Sequence, residues 1–342
     1  MFLWQPCFPP HTYFETQRNY KYQHKANILA NHFAKISAAN YTQQFTANQH
    51  RTLPTLHKAV SETLPKDVRL NANFSLSELK FTIKSTRSTS PGADSICYEM
   101  FKHMSDTSLQ VLLSLYNSIW NSGVIPQSWS HSLVVPIPKP NKLSYLPSSY
   151  RPILLTSNAC KLMEKMIVRR LKWYLEYNNF LDIKQSGFRE RRRTTDHILS
   201  LHDAVQKSLA NKHHLLAIFI DLEKAYDMVN KNVLLLKLLK LDINGNMFNF
   251  VRAFLSNRTF QVGIESCLSM IKRSENGTPQ GSVLNPVLFS IMINDLPALF
   301  RPPLHCTLMI SVFGKVGPTS NNLNTSVRNL SSRSSIVQSV SI

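Results

Sequence analysis

The sequence predicts an α+β fold, and three observations carry that expectation. Residues 215–227 read Leu-Leu-Ala-Ile-Phe-Ile-Asp-Leu-Glu-Lys-Ala-Tyr-Asp. The six apolar residues that open this run fit a strand buried on both faces better than a helix, which would show a polar side. Two other segments, beginning near Ser105 and Ala159, repeat apolar residues at helical spacing. A fourth stretch, 258–264 with 268–273, has the pattern of a hairpin. Asp221 stands where the central strand leaves the core. A carboxylate there is costly to desolvate unless a cation meets it, and Mg²⁺ held by one or two carboxylates and substrate phosphates is the commonest such partner. An Asp that only caps the following helix is the competing reading.

Composition sets the outer limits. With 342 residues, 43% of them hydrophobic and no apolar run near eighteen residues, the chain reads as a soluble globular protein of about two domains without a membrane span. The start, Met1 to Cys7, lacks the basic and apolar regions of a secretory signal. Five cysteines, Cys7, Cys97, Cys160, Cys267 and Cys306, lie far apart without a C-x-x-C pair, which argues for a reducing interior and against a zinc site. Thirty-nine Lys and Arg against 20 Asp and Glu give +19. Such a bias attracts polyanions, so nucleic acid is the leading partner and a merely basic surface the alternative.

Taken in order, residues 1–65 are polar and read as a linker or partial N-terminal region, with one moderately amphipathic stretch over 24–45. Ser75-Leu-Ser-Glu78 is a capping box opening a short helix that carries Leu79, Phe81 and Ile83. Ser90-Pro-Gly-Ala-Asp94 is a turn. Ser105-Asp106 caps a stronger helix whose Leu109, Leu112, Leu113, Tyr116, Ile119 and Trp120 belong to the core, with Gly123 just past its end. Three prolines confine the extended run 133–140 to a sheet edge or a loop wall.

A long helix is expected over 159–177. Leu162, Met163, Met166, Ile167, Leu171, Tyr174 and Leu175 form its core stripe. Lys161, Lys165, Arg169 and Lys172 form a basic stripe on the other side, suited to a phosphate backbone, with a solvated face as the alternative. Arg189, Arg191, Arg192 and Arg193 then crowd a turn before a helix opened by Thr194-Thr195-Asp196. Four arginines so close repel one another unless anions approach, which fits a triphosphate or a template backbone; a nuclear-import patch is the alternative. A Leu-rich helix is expected over 233–241. In Gly277-Thr-Pro-Gln-Gly-Ser282 two glycines let the backbone approach a ligand closely, and Gln280 offers a donor and an acceptor to a base or sugar edge. Asn285-Pro286 opens an apolar helix running to Asp295.

Seven motifs in one order closely resemble the reverse transcriptases of non-long-terminal-repeat, LINE-type retrotransposons, the jockey-like group nearest. They are Ser90-Pro-Gly-Ala-Asp94, Ile137-Pro-Lys139, Tyr150-Arg-Pro-Ile153, Ser186-Gly-Phe-Arg189, Phe219-Ile-Asp-Leu-Glu-Lys-Ala-Tyr-Asp227, Gly277-Thr-Pro-Gln-Gly-Ser282 and Ile293-Asn-Asp-Leu296. The resemblance implies a right-hand polymerase of fingers and palm, with fingers over 66–212, an antiparallel palm over 213–310 and a degenerate or disordered tail over 311–342 in place of a thumb. It implies an RNA template, a DNA primer, deoxynucleotide substrates and two Mg²⁺ ions about 4 Å apart. Asp221 matches the first catalytic carboxylate and metal ligand, with the Leu222 carbonyl beside it. Tyr226 matches the aromatic that excludes a 2′-hydroxyl. Gln280 and Gly281 match the loop on the incoming nucleotide and template, and Arg189 a triphosphate contact. Arg151, Lys161, Lys165, Arg169, Arg191, Arg192 and Arg193 are expected along the nucleic acid.

The same resemblance demands a hairpin with two consecutive aspartates after the Ile-Asn-Asp-Leu helix. Between the flanks 305–308 and 310–315 stands only Met309, and the 47 residues after Asp295 contain no Asp or Glu. A thioether cannot replace hard oxygen ligands for Mg²⁺. A truncated, inactive copy is therefore expected. A nucleic-acid-binding remnant is the second reading, and a metal-dependent nuclease on Asp221, Glu223 and Asp227 the third. An intracellular site, nucleus or cytoplasm, follows from the family.

Overall fold

In the computed structural model, residues 13–38, 54, 56, 67–143, 145–212, 216–220, 225–296 and 337–341 are described. The chain begins with helix α1 (Tyr13–Ser37), followed by α2 (Val68–Asn71), α3 (Leu76–Lys84), α4 (Tyr98–Lys102), α5 (Asp106–Ser122) and α6 (Gln127–Ser130). Strands β1 (His131–Pro138) and β2 (Tyr150–Leu155) lead into α7 (Asn158–Tyr177) and α8 (Thr194–Ala210). Then come β3 (Leu216–Ile220), α9 (Lys231–Lys240), α10 (Gly245–Leu255), β4 (Thr259–Ile264), β5 (Cys267–Leu268), β6 (Lys272–Arg273), α11 (Asn285–Met292) and β7 (Val337–Ser341). No described helix is long and apolar enough to cross a membrane.

Local chemistry sets the helix ends. In α3, the Glu78 N–H donates to the Ser75 hydroxyl at 3.2 Å while the Ser75 N–H donates to Glu78 at 2.9 Å, the reciprocal pair of a capping box. Helix α5 opens on Ser105, whose hydroxyl accepts from the Ser108 N–H at 3.2 Å, and closes on Gly123 at φ 66°. Its Trp120 and Tyr116 are wholly buried. The indole N–H of Trp120 donates to the Asn71 carbonyl at 3.1 Å, and the Tyr116 hydroxyl to the Ala159 carbonyl at 2.8 Å, so both polar tips are satisfied inside the helical core.

The main sheet runs β2-β1-β4-β5, with β6 also on β4. The expected edge position of 133–140 holds from Val135 to Pro138, which pair with β2 alone, and gives way at Leu133 and Val134, which are flanked on both sides. Strand β1 pairs with β2 from Leu133 to Pro138, antiparallel, and with β4 from His131 to Val134, in parallel. Pro136 and Pro138 fall beyond that point, where no second partner asks for their missing N–H. Within 213–310 the pairs β4 to β5 and β4 to β6 are antiparallel, as is β3 to β7; the parallel pair joins β4 to β1, which lies before that range. The expected hairpin is present but kinked. Gly263 pairs with Leu268 whereas Thr259 pairs with Arg273, a shift of one residue. Ser269 bridges it, its hydroxyl accepting from the Val262 N–H at 2.9 Å.

Two regions depart from the sequence expectation. The stretch read as a linker or partial N-terminal region with weak helices supplies α1, which packs more firmly than that reading asked: Ala26, Leu29, Ala30 and Phe33 are buried, the last three in a second core with Val134, Phe260 and Val262. Within the 311–342 tail, Val337–Ser341 pairs with the central strand, Ile220 opposite Val337 and Leu216 opposite Ser341. Burial of the β3 side chains lies outside the described residues.

Candidate nucleotide and template site

Motifs that are far apart in sequence meet around the end of β2 and the loop before α11. The loop lies against two stretches of backbone. On one side the Gly277 N–H donates to the Val229 carbonyl at 2.9 Å and the Thr278 N–H to that of Tyr226 at 3.0 Å. On the other, the Leu154 N–H donates to the Gln280 carbonyl at 3.0 Å. Gly277 (φ 82°) and Gly281 (φ 115°) make this possible, since a Cβ on either would stand 2.7 Å from a carbonyl oxygen, of Asp227 and of Leu154 respectively. The close approach expected toward a ligand is thus, at both glycines, an approach to the protein's own backbone. Gly92 of the Ser90 to Asp94 turn is equally tight, its Cβ position 2.7 Å from the Ser157 nitrogen. Turn, strand and loop form one packed unit.

A wholly buried carboxylate holds this unit from below. Glu164 of α7 accepts from the Ser282 hydroxyl, from the Val283 N–H at 2.7 Å and from the Leu284 N–H at 3.1 Å. A negative charge at the start of α11 also meets the positive end of that helix. Arg258, likewise buried, donates to the Phe254 carbonyl at 3.0 Å and the Ser132 hydroxyl at 3.2 Å and lies 4.7 Å over the Phe254 ring. Burial pushes the Cys160 thiol well above its usual range, with Glu164 adding to the shift. The sequence analysis singled out neither Glu164 nor Arg258 for a role. A Glu on the apolar side of a helix, in step with Cys160 and Ile167, was the available signal.

The expected site residues fall into three groups. Tyr226, Gln280 and Gly281 come together: Tyr226 packs its ring 4.9 Å from Phe289, its hydroxyl raised by desolvation, while its carbonyl holds the loop. Asp227, Arg258 and Gln280 share a cavity of about 50 Å³, room for a water or two but not a nucleotide.

A second group turns inward. Arg189 donates through its guanidinium to both oxygens of Glu176, at 2.9 and 2.7 Å, and to the Asp182 and Gln185 carbonyls at 2.8 and 3.1 Å. That geometry makes it a clasp on its own loop, so a triphosphate there would compete with Glu176 for the guanidinium. Lys161 is buried rather than on an outer stripe, its ammonium pushed down by burial, with Glu164, Cys160 and Asp94 opposing the shift. Lys165 lies 4.5 Å over the Tyr98 ring and is also lowered by burial, then by Lys161. The helix buries a wider face than its apolar residues alone mark.

The third group is exposed: Arg151, Arg169, Arg191, Arg192 and Arg193. Asp221, Leu222 and Met309 lie outside the described residues. Among the described residues no three His, Cys, Asp or Glu side chains gather as a metal site.

The motif order, now seen to bring the 226–229 and 277–284 segments together, points toward a polymerase-type family. A model of the family described as reverse transcriptase (RNA-dependent DNA polymerase) matches residues 137–313, more than half of the chain, so the chain belongs to the reverse transcriptase family. Within it the chain is similar to retrotransposon enzymes. It is 31% identical over 277 residues to the probable RNA-directed DNA polymerase from transposon BS of Drosophila melanogaster, covering 80% of this chain and 30% of that protein. It is 30% identical over 267 residues to the RNA-directed DNA polymerase from mobile element jockey of the same species, covering 77% and 29%. The jockey polymerase of Drosophila funebris is 29% identical over 275 residues, 80% and 29%. The chain thus spans about 30% of the length of these relatives.

Proposed function

We propose that this reverse transcriptase domain binds an RNA template paired with a DNA primer and does not extend the primer. The observation that carries the binding half is the clamped loop, with Gln280 and Gly281 held between β2, Tyr226 and Glu164. In this reading 66–212 act as fingers and 213–310 as palm. Gln280 and Gly281 meet the nucleotide and template, Tyr226 stands against the sugar, and exposed Arg151, Arg191, Arg192 and Arg193 follow the phosphates.

The chemical half rests on the donor set. Two Mg²⁺ ions would activate the primer hydroxyl and hold the triphosphate. Asp221 is the one carboxylate carried over from the family pattern, with the Leu222 carbonyl beside it, and the 47 residues after Asp295 hold no Asp or Glu. That set does not fit two hard dications. No catalytic step is derived for the chain.

Equilibrium binding of a recessed RNA–DNA duplex, titrated against salt, tests the binding half. Contacts to six or more phosphates predict a loss of roughly 10³-fold in affinity between about 50 and 200 mM salt. A salt-independent affinity would refute it, and Mg²⁺-dependent extension by the chain as it stands would refute the chemical half. A second reading, a remnant that binds through the basic turn alone, is favoured by the exposure of Arg191, Arg192 and Arg193. It differs in that restoring the metal ligands would restore no synthesis.

A further inference from the structure

The outer side of α7 carries an aromatic feature that the polymerase reading does not use, beside Arg191, which that reading places on the phosphates. Two cavities, of about 570 and 710 Å³, lie side by side with Arg169 and Trp173 in the walls of both, and are taken together here as a trough. Trp173 and Tyr177, one helical turn apart, stack at 5.3 Å with their planes 24° apart. Arg69 lays its guanidinium over both rings, 4.7 Å from the indole and 5.5 Å from the phenol. Across the trough Arg169 lies 4.0 Å over Phe81. These groups face solvent: Trp173 is 38% exposed, Phe81 55% and Tyr177 64%. Rings of this size left open beside guanidinium groups are costly to leave in water and offer flat faces to a planar ligand.

Charge selects the occupant. Six cations (Arg69, Arg169, Arg170, Lys172, Arg189 and Arg191) line the trough against Glu78, Glu176 and Glu190. Each of the three carboxylates is already paired, with Arg170 at 2.8 Å, Arg189 at 2.7 Å and Lys172 at 3.8 Å. Among the described residues neither Arg169 nor Arg191 has an acidic partner. Stacked aromatic faces interleaved with unpaired arginines suit an unpaired polynucleotide, whose bases stack and whose phosphates need cations; a duplex hides its base faces. The trough is also separate from the nucleotide loop. Trp173 lies nine residues beyond Glu164, which is half a turn around the helix and about 13 Å along it.

We propose that this trough is a second nucleic-acid site, for single strands, with Trp173, Tyr177 and the outer face of Arg69 stacking bases and Arg169 and Arg191 holding phosphates. It does not depend on polymerase activity.

Anisotropy of a fluorescein-labelled twelve-nucleotide oligo(A) RNA, alongside the recessed duplex, tests it. The double variant Trp173→Ala/Tyr177→Ala should bind the single strand roughly 10- to 100-fold more weakly, at about one to two lost stacking contacts, and the duplex within about threefold of the parent. Trp173→Phe/Tyr177→Phe, which keeps the ring faces, should stay within about threefold on both and serves if the alanine variant melts early. Arg169→Gln/Arg191→Gln should lower the salt slope for the single strand by about 1.4. The proposal is overturned if the alanine variant, folded by its melting curve, binds the strand as the parent does. It is equally overturned if the phenylalanine variant binds as weakly as the alanine one, or if polyglutamate of matched charge displaces the strand as well as unlabelled RNA. Loss of duplex binding with the single strand retained would instead count against the template reading alone.

Discussion

Along α7, Lys161 and Glu164 lie inside the protein, whereas Arg169 and Trp173, two to three turns later, stand in solvent. All but Trp173 are charged side chains of one helix at similar spacing. Their surroundings separate them. The first half of α7 passes beneath the loop before α11, where backbone N–H groups and a buried hydroxyl need an acceptor and Glu164 supplies it. The second half passes beside α2 and α3, where Arg170 already binds Glu78 and the Asn73 carbonyl, leaving Arg169 to lie on Phe81. A charge on a helix thus becomes a structural strut or a free contact according to what its neighbours lack.

Glu164→Ala should cost about 3 kcal/mol in urea unfolding, since it strands buried donors, and Glu164→Gln, which keeps one acceptor oxygen, about half of that. Equal and small losses for both would break the contrast. Gly281→Ala should cost about 2 kcal/mol, because φ 115° and a Cβ 2.7 Å from the Leu154 oxygen oppose a side chain. An unchanged midpoint would show that the loop is not clamped.

A pH titration sharpens the inward side. Burial, helped by nearby Arg258, brings the Lys231 ammonium down to about 8, although its Nζ donates to the Ser274 carbonyl at 2.9 Å. An unfolded lysine titrates near 10.4, so from about pH 8 to about pH 10 the unfolded chain binds more protons there and stability rises with pH. Below pH 8 both states are protonated and the burial penalty is constant. The melting temperature of the parent relative to Lys231→Met should therefore climb across that window and stay level beneath it; a level difference throughout would remove the claim. The smallest effect belongs to the outer side: Arg169→Ala should change stability by no more than about 0.5 kcal/mol, and a larger loss in the melt would make Arg169 a strut after all.

What could be read from the sequence was whatever local chemistry decides. Ser75 with Glu78, Ser105 and Gly123 place their helix ends because a cap answers to residues three or four away. The motif cluster was visible as a set through its resemblance to a family, seven short stretches in that family's order, and only Gly277 and Gly281 among them added a backbone reason in their positive φ. Long-range partners decided the rest. Residues 1–65 read as a linker or partial N-terminal region because α1 is only weakly amphipathic, and its packing on β4 depends on a sheet assembled from segments more than a hundred residues away. Lys161 read as solvent-facing because its spacing matched Arg169, but it lies on the side of α7 that is buried with Cys160 and Glu164. Arg189 read as a triphosphate contact because it sits among arginines, yet Glu176 and two carbonyls hold it. Arg258 gave no signal beyond being a lone charge at a strand end.

The most direct measurement of the central claim is primer extension on a poly(A) template with Mg²⁺, comparing the chain with a version in which Tyr-Ala-Asp-Asp replaces Met309. The account predicts no product from the chain itself and extension from the repaired version, since the clamped loop is in place and the carboxylates are what is missing. Extension by the chain as it stands would contradict it.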